Sequence, residues 1–261
     1  MAEINALGYT TVYTYGLMNE LTAMQDPEGR VTTYEYDALL RLIAVHAPEG
    51  ATSRYVYNDL DRLVERIQNF VPGGPRNADT NVSTRYEYDP AGNLIRVVDP
   101  NGIVTRYEYD ALNRLRAVIR NYRSGEPPGP DVNVTTRYEY DPNGNLIRRV
   151  NPRGFATVYA YDAANRLIAA TDALSQTTTY AYDPDGNLIA LTDPAGMTIR
   201  YEYDLLDRRT AEIRNFRPGE PPGPDVNVTT RSEYDPAGNL IRRVDPNGIP
   251  TCYEYDALNR L

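Results

Sequence analysis

Tryptophan and lysine do not occur in this 261-residue sequence, and histidine and cysteine occur once each, as His46 and Cys252. One cysteine excludes an intramolecular disulfide. One histidine, with no serine or cysteine nucleophile beside it in the sequence, leaves nucleophilic catalysis without its usual partners. His46 stands just before the turn Ala47-Pro-Glu-Gly50 and reads as a surface or partly covered residue, and Cys252 reads as a small strand residue where other copies of its segment carry Thr or Arg. No run of about 18 apolar residues occurs, so no segment reads as a membrane-spanning helix. Residues 1–15 lack a basic region followed by an apolar one, so any secretion signal is expected outside this sequence. The formal charge of −9 argues against a nucleic-acid partner, because phosphates are repelled on average.

Glycine loops that cradle phosphate and metal-ligand spacings are also missing, and no cofactor is expected. Asp183-Pro-Asp-Gly-Asn187 shares its first positions with a calcium loop but lacks the third acidic position and the distal Glu, so it reads as a turn. The absence of lysine makes all 27 basic residues arginine, which offers carboxylates a planar fork and tyrosine rings a flat cation.

What the sequence has in abundance is tyrosine, 23 residues against three Phe, and repetition. The segment Thr136-Arg-Tyr-Glu-Tyr-Asp-Pro-Asn-Gly-Asn-Leu-Ile-Arg-Arg-Val150 generates nearly everything else by copying. Its tyrosine pair returns at Tyr34/Tyr36, Tyr55/Tyr57, Tyr86/Tyr88, Tyr107/Tyr109, Tyr138/Tyr140, Tyr159/Tyr161, Tyr180/Tyr182, Tyr201/Tyr203 and Tyr253/Tyr255, with degenerate copies at Tyr13/Tyr15 and Ser232/Tyr234. Of the ten steps between these eleven copies, seven are 21 residues and three are 31, so the chain is a tandem array over residues 1–261.

Each unit reads as one β-hairpin. Tyr and Thr favour strands, and the rings at alternate positions fall on one face, forming a structural ladder down the array. The turn after the first strand alternates between Asp-Pro-x-Gly-Asn, with Gly92, Gly144, Gly186 and Gly238 at the position that needs a positive φ, and Asp-Ala-x-Asn-Arg, where Asn113, Asn165 and Asn259 are expected to take that conformation. The true repeat is then a pair of hairpins. The fold class expected is all-β, with about 22 short strands in one continuous antiparallel sheet of tandem hairpins that curls or spirals, since open sheets rarely exceed about ten strands without curling.

Opposite the rings, Glu lies between the tyrosines in most copies and the second strand offers Arg. A four-residue turn sets Glu139 across from Arg148, whereas a three-residue turn sets Tyr138 there, and both registers remain open at this point. Such cross-strand pairs contribute roughly 0.2–1 kcal/mol each and fix register by repetition. The ten added residues of the longer units, from Gln68, Arg120 and Arg214, are Pro- and Gly-rich and are expected as loops on a common rim. Each carries one match to the glycosylation acceptor pattern, at Asn81, Asn133 and Asn227.

The repeated Tyr-x-Tyr-Asp-x-x-Gly/Asn-x-Leu, as in Tyr86-Glu-Tyr-Asp-Pro-Ala-Gly-Asn-Leu94, resembles the YD-repeat or RHS-repeat family over essentially the whole chain. The resemblance implies secreted or surface proteins, mostly bacterial, whose hairpins coil into a spiralling sheet; in RHS toxins that sheet is a hollow shell round a toxic C-terminal segment. No core motif with an aspartyl self-cleavage site follows the repeats. Adhesive relatives imply surface glycans as partners instead. Setting Met1 after Leu261 continues the rhythm without a gap, eight steps of 21 and three of 31 accounting for all 261 residues. The function expected first is therefore a non-catalytic wall of an extracellular fibre or tube, self-associating end to end; the alternatives are a fragment of a shell enclosing a toxin polypeptide and a carbohydrate-binding adhesin.

Overall fold

A strand of five to seven residues bounded at each end by a turn pentapeptide can only fold back on itself, and the sequence repeats that arrangement along its length. The computed structural model describes residues 2–4, 9–256 and 259, and holds 22 β-strands and, among those residues, no helix. The strands form an antiparallel sheet in which each pairs with its neighbours in sequence, and no pairing among the described residues joins the last strand, Pro250–Cys252, to the first, Ala2–Ile4. The all-β tandem-hairpin fold expected from the repeats is thus what the chain adopts. Two compact units lie along the array, Met1–Arg137 and Tyr138–Leu261. The head-to-tail join of residues 1 and 261 lies outside the described residues.

In the hairpin of Val82–Tyr88 and Leu94–Val98, Tyr88 faces Leu94 but Glu87 faces Arg96, so Ile95 is an extra residue on the second strand. The same bulge recurs between Glu202 and Tyr203 and between Glu233 and Tyr234. It resolves the register: the chain turns tightly at Asp-Pro-x-Gly-Asn and then absorbs one residue, which brings acid opposite base rather than ring opposite base. Glu139 and Arg148 accordingly meet at 2.6 Å.

Between hairpins the pairing is shorter, three positions as in Arg148↔Val158 to Val150↔Ala156, and four where an insert follows, as in Glu65↔Arg85 to Gln68↔Val82. Little of the sheet is buried. Five apolar residues are, among those described: Ala44, Ile67 and Ala117 in the first unit and Ala211 and Ile213 in the second. All lie in second strands, and all but Ala44 lie in strands that lead into an insert, so the modest core gathers where extra chain is available.

Candidate functional site

The features that repeat are the turns that end each first strand, the tyrosine beside them and the three inserts. At Asp89-Pro-Ala-Gly-Asn93 the Gly92 N–H donates to the Asp89 carbonyl at 3.1 Å, the Asp89 N–H donates to the Asn93 carbonyl at 3.0 Å, and Gly92 has φ +94°. A side chain there is strained, which favours Gly, or Asn and Asp, at the position, although Leu40 also holds it, with φ +61°. Gly144, Gly186 and Gly238 have φ of +91°, +98° and +94°, and Asn113 and Asn165, in the second turn class, have +58° and +60°. Both classes therefore share one backbone.

Their side chains differ and complement each other. In the glycine class the Asn at the fifth position ties its own Asp and then the next turn: Asn93 Nδ2 donates to Asp89 Oδ2 at 2.9 Å and to Asn113 Oδ1 at 2.8 Å. Asn187 repeats this with Asp183 and Asp207, at 3.2 and 2.7 Å. In the arginine class the fifth residue does the equivalent with a guanidinium: Arg166 Nε donates to Asp162 Oδ2 at 2.7 Å, its Nη1 donates to the Asp183 carbonyl at 3.0 Å, and its Cζ lies 4.8 Å from the centre of the Tyr182 ring. Arg208 does the same with Asp204, the Asp235 carbonyl and Tyr234. Turn is linked to turn, alternately by amide and guanidinium in the second unit, while in the first the guanidiniums of Arg41 and Arg62 serve two successive turns, donating to the Asn58 and Asp89 carbonyls, before the Asn93 amide takes over. This accounts physically for a two-hairpin period in the sequence.

These donors hold the turn carboxyls ionised. The side-chain amides of Asn93 and Asn145 hold Asp89 and Asp141 below the usual carboxylate range, and the Arg41 guanidinium does so for Asp37.

The second tyrosine of each pair reaches back to the preceding hairpin. Where no insert intervenes its hydroxyl donates to the carbonyl of the leucine fifteen residues earlier: Tyr57 to Leu42 at 2.9 Å, Tyr109 to Leu94 at 2.9 Å, Tyr161 to Leu146 at 3.0 Å, Tyr182 to Leu167 at 2.9 Å and Tyr203 to Leu188 at 3.0 Å. Adjacent hairpins pair over only three positions, so this carbonyl lies beyond the ladder and the hydroxyl supplies its partner. Burial pushes the Tyr57, Tyr109 and Tyr203 hydroxyls up, which keeps them donors. The alternate spacing of the rings was legible in the sequence; the carbonyl partner was not, because it is a backbone group of a neighbouring hairpin.

Two of the pairs expected in the tyrosine ladder show where it holds within a strand and where it does not. Tyr138 and Tyr140 both lie inside the strand Val134–Tyr140, half-buried on either side of the exposed Glu139. Tyr253 and Tyr255 do not lie in a strand, because the last one ends at Cys252, and this corrects the expectation that every pair does. The physical reason is pairing. The Tyr253 N–H donates to the Ile241 carbonyl at 2.9 Å, one step past the registered ladder, and the Tyr255 hydroxyl donates to the Leu240 carbonyl at 3.2 Å. The hydroxyl bond to the preceding hairpin thus forms at Tyr255 even where the strand around it does not.

The inserts are organised around one asparagine each. Asn133, 6% exposed, accepts from the Arg123 N–H at 2.8 Å and donates to the Arg123 and Glu126 carbonyls at 3.0 and 2.7 Å. Asn227 repeats this with Arg217 and Glu220, and Asn81 with Val71, Gly74 and Pro75. At each match to the glycosylation pattern the amide nitrogen that a glycan would occupy is thus spent on carbonyls, and the pattern match is a by-product of a loop clasp. The aromatic that opens each insert is fixed as well. Phe70, Tyr122 and Phe216 donate their N–H to Thr52, Val104 and Thr198, each at 2.8 Å, and Arg54, Arg106 and Arg200 lie over the three rings.

The remaining candidates resolve simply. His46 hydrogen-bonds Glu35 and Thr52, each at 3.0 Å, and Cys252 is exposed in the last strand. Among the described residues no group of His, Cys, Asp or Glu side chains is placed to hold a metal ion.

Against known proteins, the profile of the RHS repeat matches residues 19–52, 36–74, 76–102, 88–126, 140–177, 161–196, 182–216 and 234–261. The chain belongs to the RHS repeat family. No curated protein matches it. Among solved structures it is similar to TcdB2-TccC3 in complex with Cdc42, at a TM-score of 0.59 and 17% identity over 98% of this chain and 16% of that one. TcdB2-TccC3 without its hypervariable C-terminal region matches at 0.59 and 17%, over 95% of this chain and 16% of that one. A Photorhabdus luminescens Tc holotoxin pore with a TccC3 variant matches at 0.50 and 16%, over 96% of this chain and 18% of that one. At this identity the likeness is one of fold. The RHS repeat chain spans less than a fifth of the length of these structures.

Proposed function

We propose that this RHS repeat chain is a segment of the wall of a shell that encloses a polypeptide, in a protein exported from the cell, and that it carries no reaction of its own. The observation that carries this reading is a sheet of 22 strands with, among the described residues, five buried apolar ones. A sheet that buries so little against itself has faces left for something else to cover, and a shell wall has contents on one side and water on the other. The repeated turn-to-turn links and tyrosine hydroxyls hold such a layer together without a second layer behind it. The fold likeness to TccC3-containing toxin structures supports the same reading.

Cryo-electron microscopy of the natural gene product that contains this chain tests it. Density for a further polypeptide against one face of the RHS sheet is the expected result; a sheet bare on both faces, or repeats packed only on one another in a fibre, would overturn it.

A further inference from the structure

The hairpin round Asp183 departs from its siblings where the others carry an ion pair. Glu87 and Arg96, and Glu233 and Arg242, face each other directly across their strands, and acid meets base there as it does at Glu139 and Arg148. In the Asp183 hairpin the facing residues are Ala181 and Ala190. Two methyl groups thus replace an acid and a base beside an open concavity of about 610 Å³, which Tyr201, Tyr203 and Phe216 help to line.

Five carboxylates line this concavity, Asp183, Asp185, Glu202, Asp204 and Asp207, against the single guanidinium of Arg200. Its equivalent in the first unit, about 530 Å³, sets the carboxylates of Glu87, Asp89, Glu108 and Asp110 against three guanidiniums, those of Arg96, Arg106 and Arg116. Four differences make the second hollow more negative, Arg96 corresponding to Ala190, Arg116 to Thr210, Ala91 to Asp185 and Asn113 to Asp207, and one runs the other way, Glu87 corresponding to Ala181. Between these two related copies the lining has lost two positive charges and gained a net one negative charge.

Three of the acids already have partners, Asp183 and Asp207 in Asn187 and Asp204 in Arg208, and Glu202 lies 3.8 Å from Arg200. The negative charge is spread over the walls, not focused at a point, and no metal-binding group forms among the described residues. An extended cation with an apolar stem suits such a lining: the stem lies along rings while the head meets carboxylates. Charge complementarity and the open side of the hollow select a side chain presented on a chain. We infer that this concavity docks a basic segment of a polypeptide, seated by its arginine or lysine side chains. The inference does not depend on the wall enclosing anything.

Calorimetric titration of the full chain with an arginine-rich decapeptide tests it. Saturable one-to-one binding is expected. Ala181→Glu with Ala190→Arg, which rebuilds the sibling ion pair and so uses a pairing the array already tolerates, weakens binding at least tenfold, and Asp185→Ala with Asp207→Asn does likewise. No saturable binding, or binding indifferent to both variants, would overturn the inference by leaving only the diffuse charge of the chain. Equal competition by spermine would overturn the choice of a polypeptide.

Discussion

The hairpin that precedes the first insert and those that precede the second and third solve one construction problem with different charges. In the later two, the turn is closed by Asp110 with Arg114 and by Asp204 with Arg208, each pair at 2.7 Å, and the insert lies beside a buried alanine, Ala117 or Ala211. In the first, Asn58 stands where the turn aspartate belongs, and Glu65 stands where the alanine does. Glu65 gathers Arg76 from the insert at 2.6 Å, Arg85 from the next strand at 3.0 Å and the Ser83 hydroxyl at 2.5 Å. Arg62, by contrast, has lost its carboxylate: its Nε is buried with no hydrogen-bond partner. Asn58 Oδ1 accepts from the Leu60 and Arg62 N–H groups, which turns the amide's donor end away from any use to a guanidinium. What this teaches is that the asparagine clasp is the common requirement of an insert, since all three keep it, while ion pairs are interchangeable reinforcements.

The largest effect is therefore expected from the clasp. Asn227→Ala strands three part-buried backbone groups and Asn81→Ala four, at up to about 1–3 kcal/mol for each group that water does not reach, and urea melts should place both among the most damaging single changes. A loss much smaller at Asn81 than at Asn227 would mean that the Glu65 cluster can hold the first insert unaided.

Glu65 comes next. Its arginine and serine partners, Arg76 foremost, hold its carboxyl at about 2 against an ordinary 4.5. A carboxyl whose folded pKa is depressed contributes stability above its unfolded value, and loses it as pH falls from about 4.5 through about 2. Glu65→Gln is expected to cost about 1–3 kcal/mol at neutral pH, as for a hydrogen bond to a charged group, and nothing relative to the parent once Glu65 is protonated. Thermal melts across that pH range check both arms.

A gain should come from Asn58→Asp, which restores the acceptor that Arg62 Nε lacks, by something on the order of 1 kcal/mol. A raised melting temperature is the expected readout; no change would show that water already serves that atom.

The smallest and most uniform effect concerns the tyrosine hydroxyls that span the inserts. Tyr88 donates to the Leu63 carbonyl at 2.9 Å and Tyr234 to the Arg209 carbonyl at 3.0 Å, over 25 residues of sequence instead of 15. Tyr88→Phe and Tyr234→Phe should each cost about 0.5–1.5 kcal/mol and match Tyr161→Phe in denaturant melts. Unequal values would show that an insert disturbs the sheet it leaves.

Much of this architecture was determined by the sequence alone. Repeats of 21 and 31 residues, rings at alternate positions and a turn pentapeptide at each end dictate hairpins, their number and their order, because strand period and turn chemistry are local properties of a few consecutive residues. The left-handed positions followed from Gly and Asn for the same reason. Tertiary structure decided what depends on residues meeting across strands: the bulge at Ile95 that chooses acid over ring opposite Arg96, the leucine carbonyls that receive the tyrosines, the alternating links from turn to turn, and the clasp hidden within a glycosylation pattern. Tyr253 and Tyr255, which repeat the motif, stand past the end of the last described strand, Pro250–Cys252. A hollow whose charge is set by five substitutions scattered from Ala181 to Thr210 is likewise invisible until the sheet brings them to one place. Identity is written along the chain, but partnership depends on register, and register is fixed only when the strands have paired.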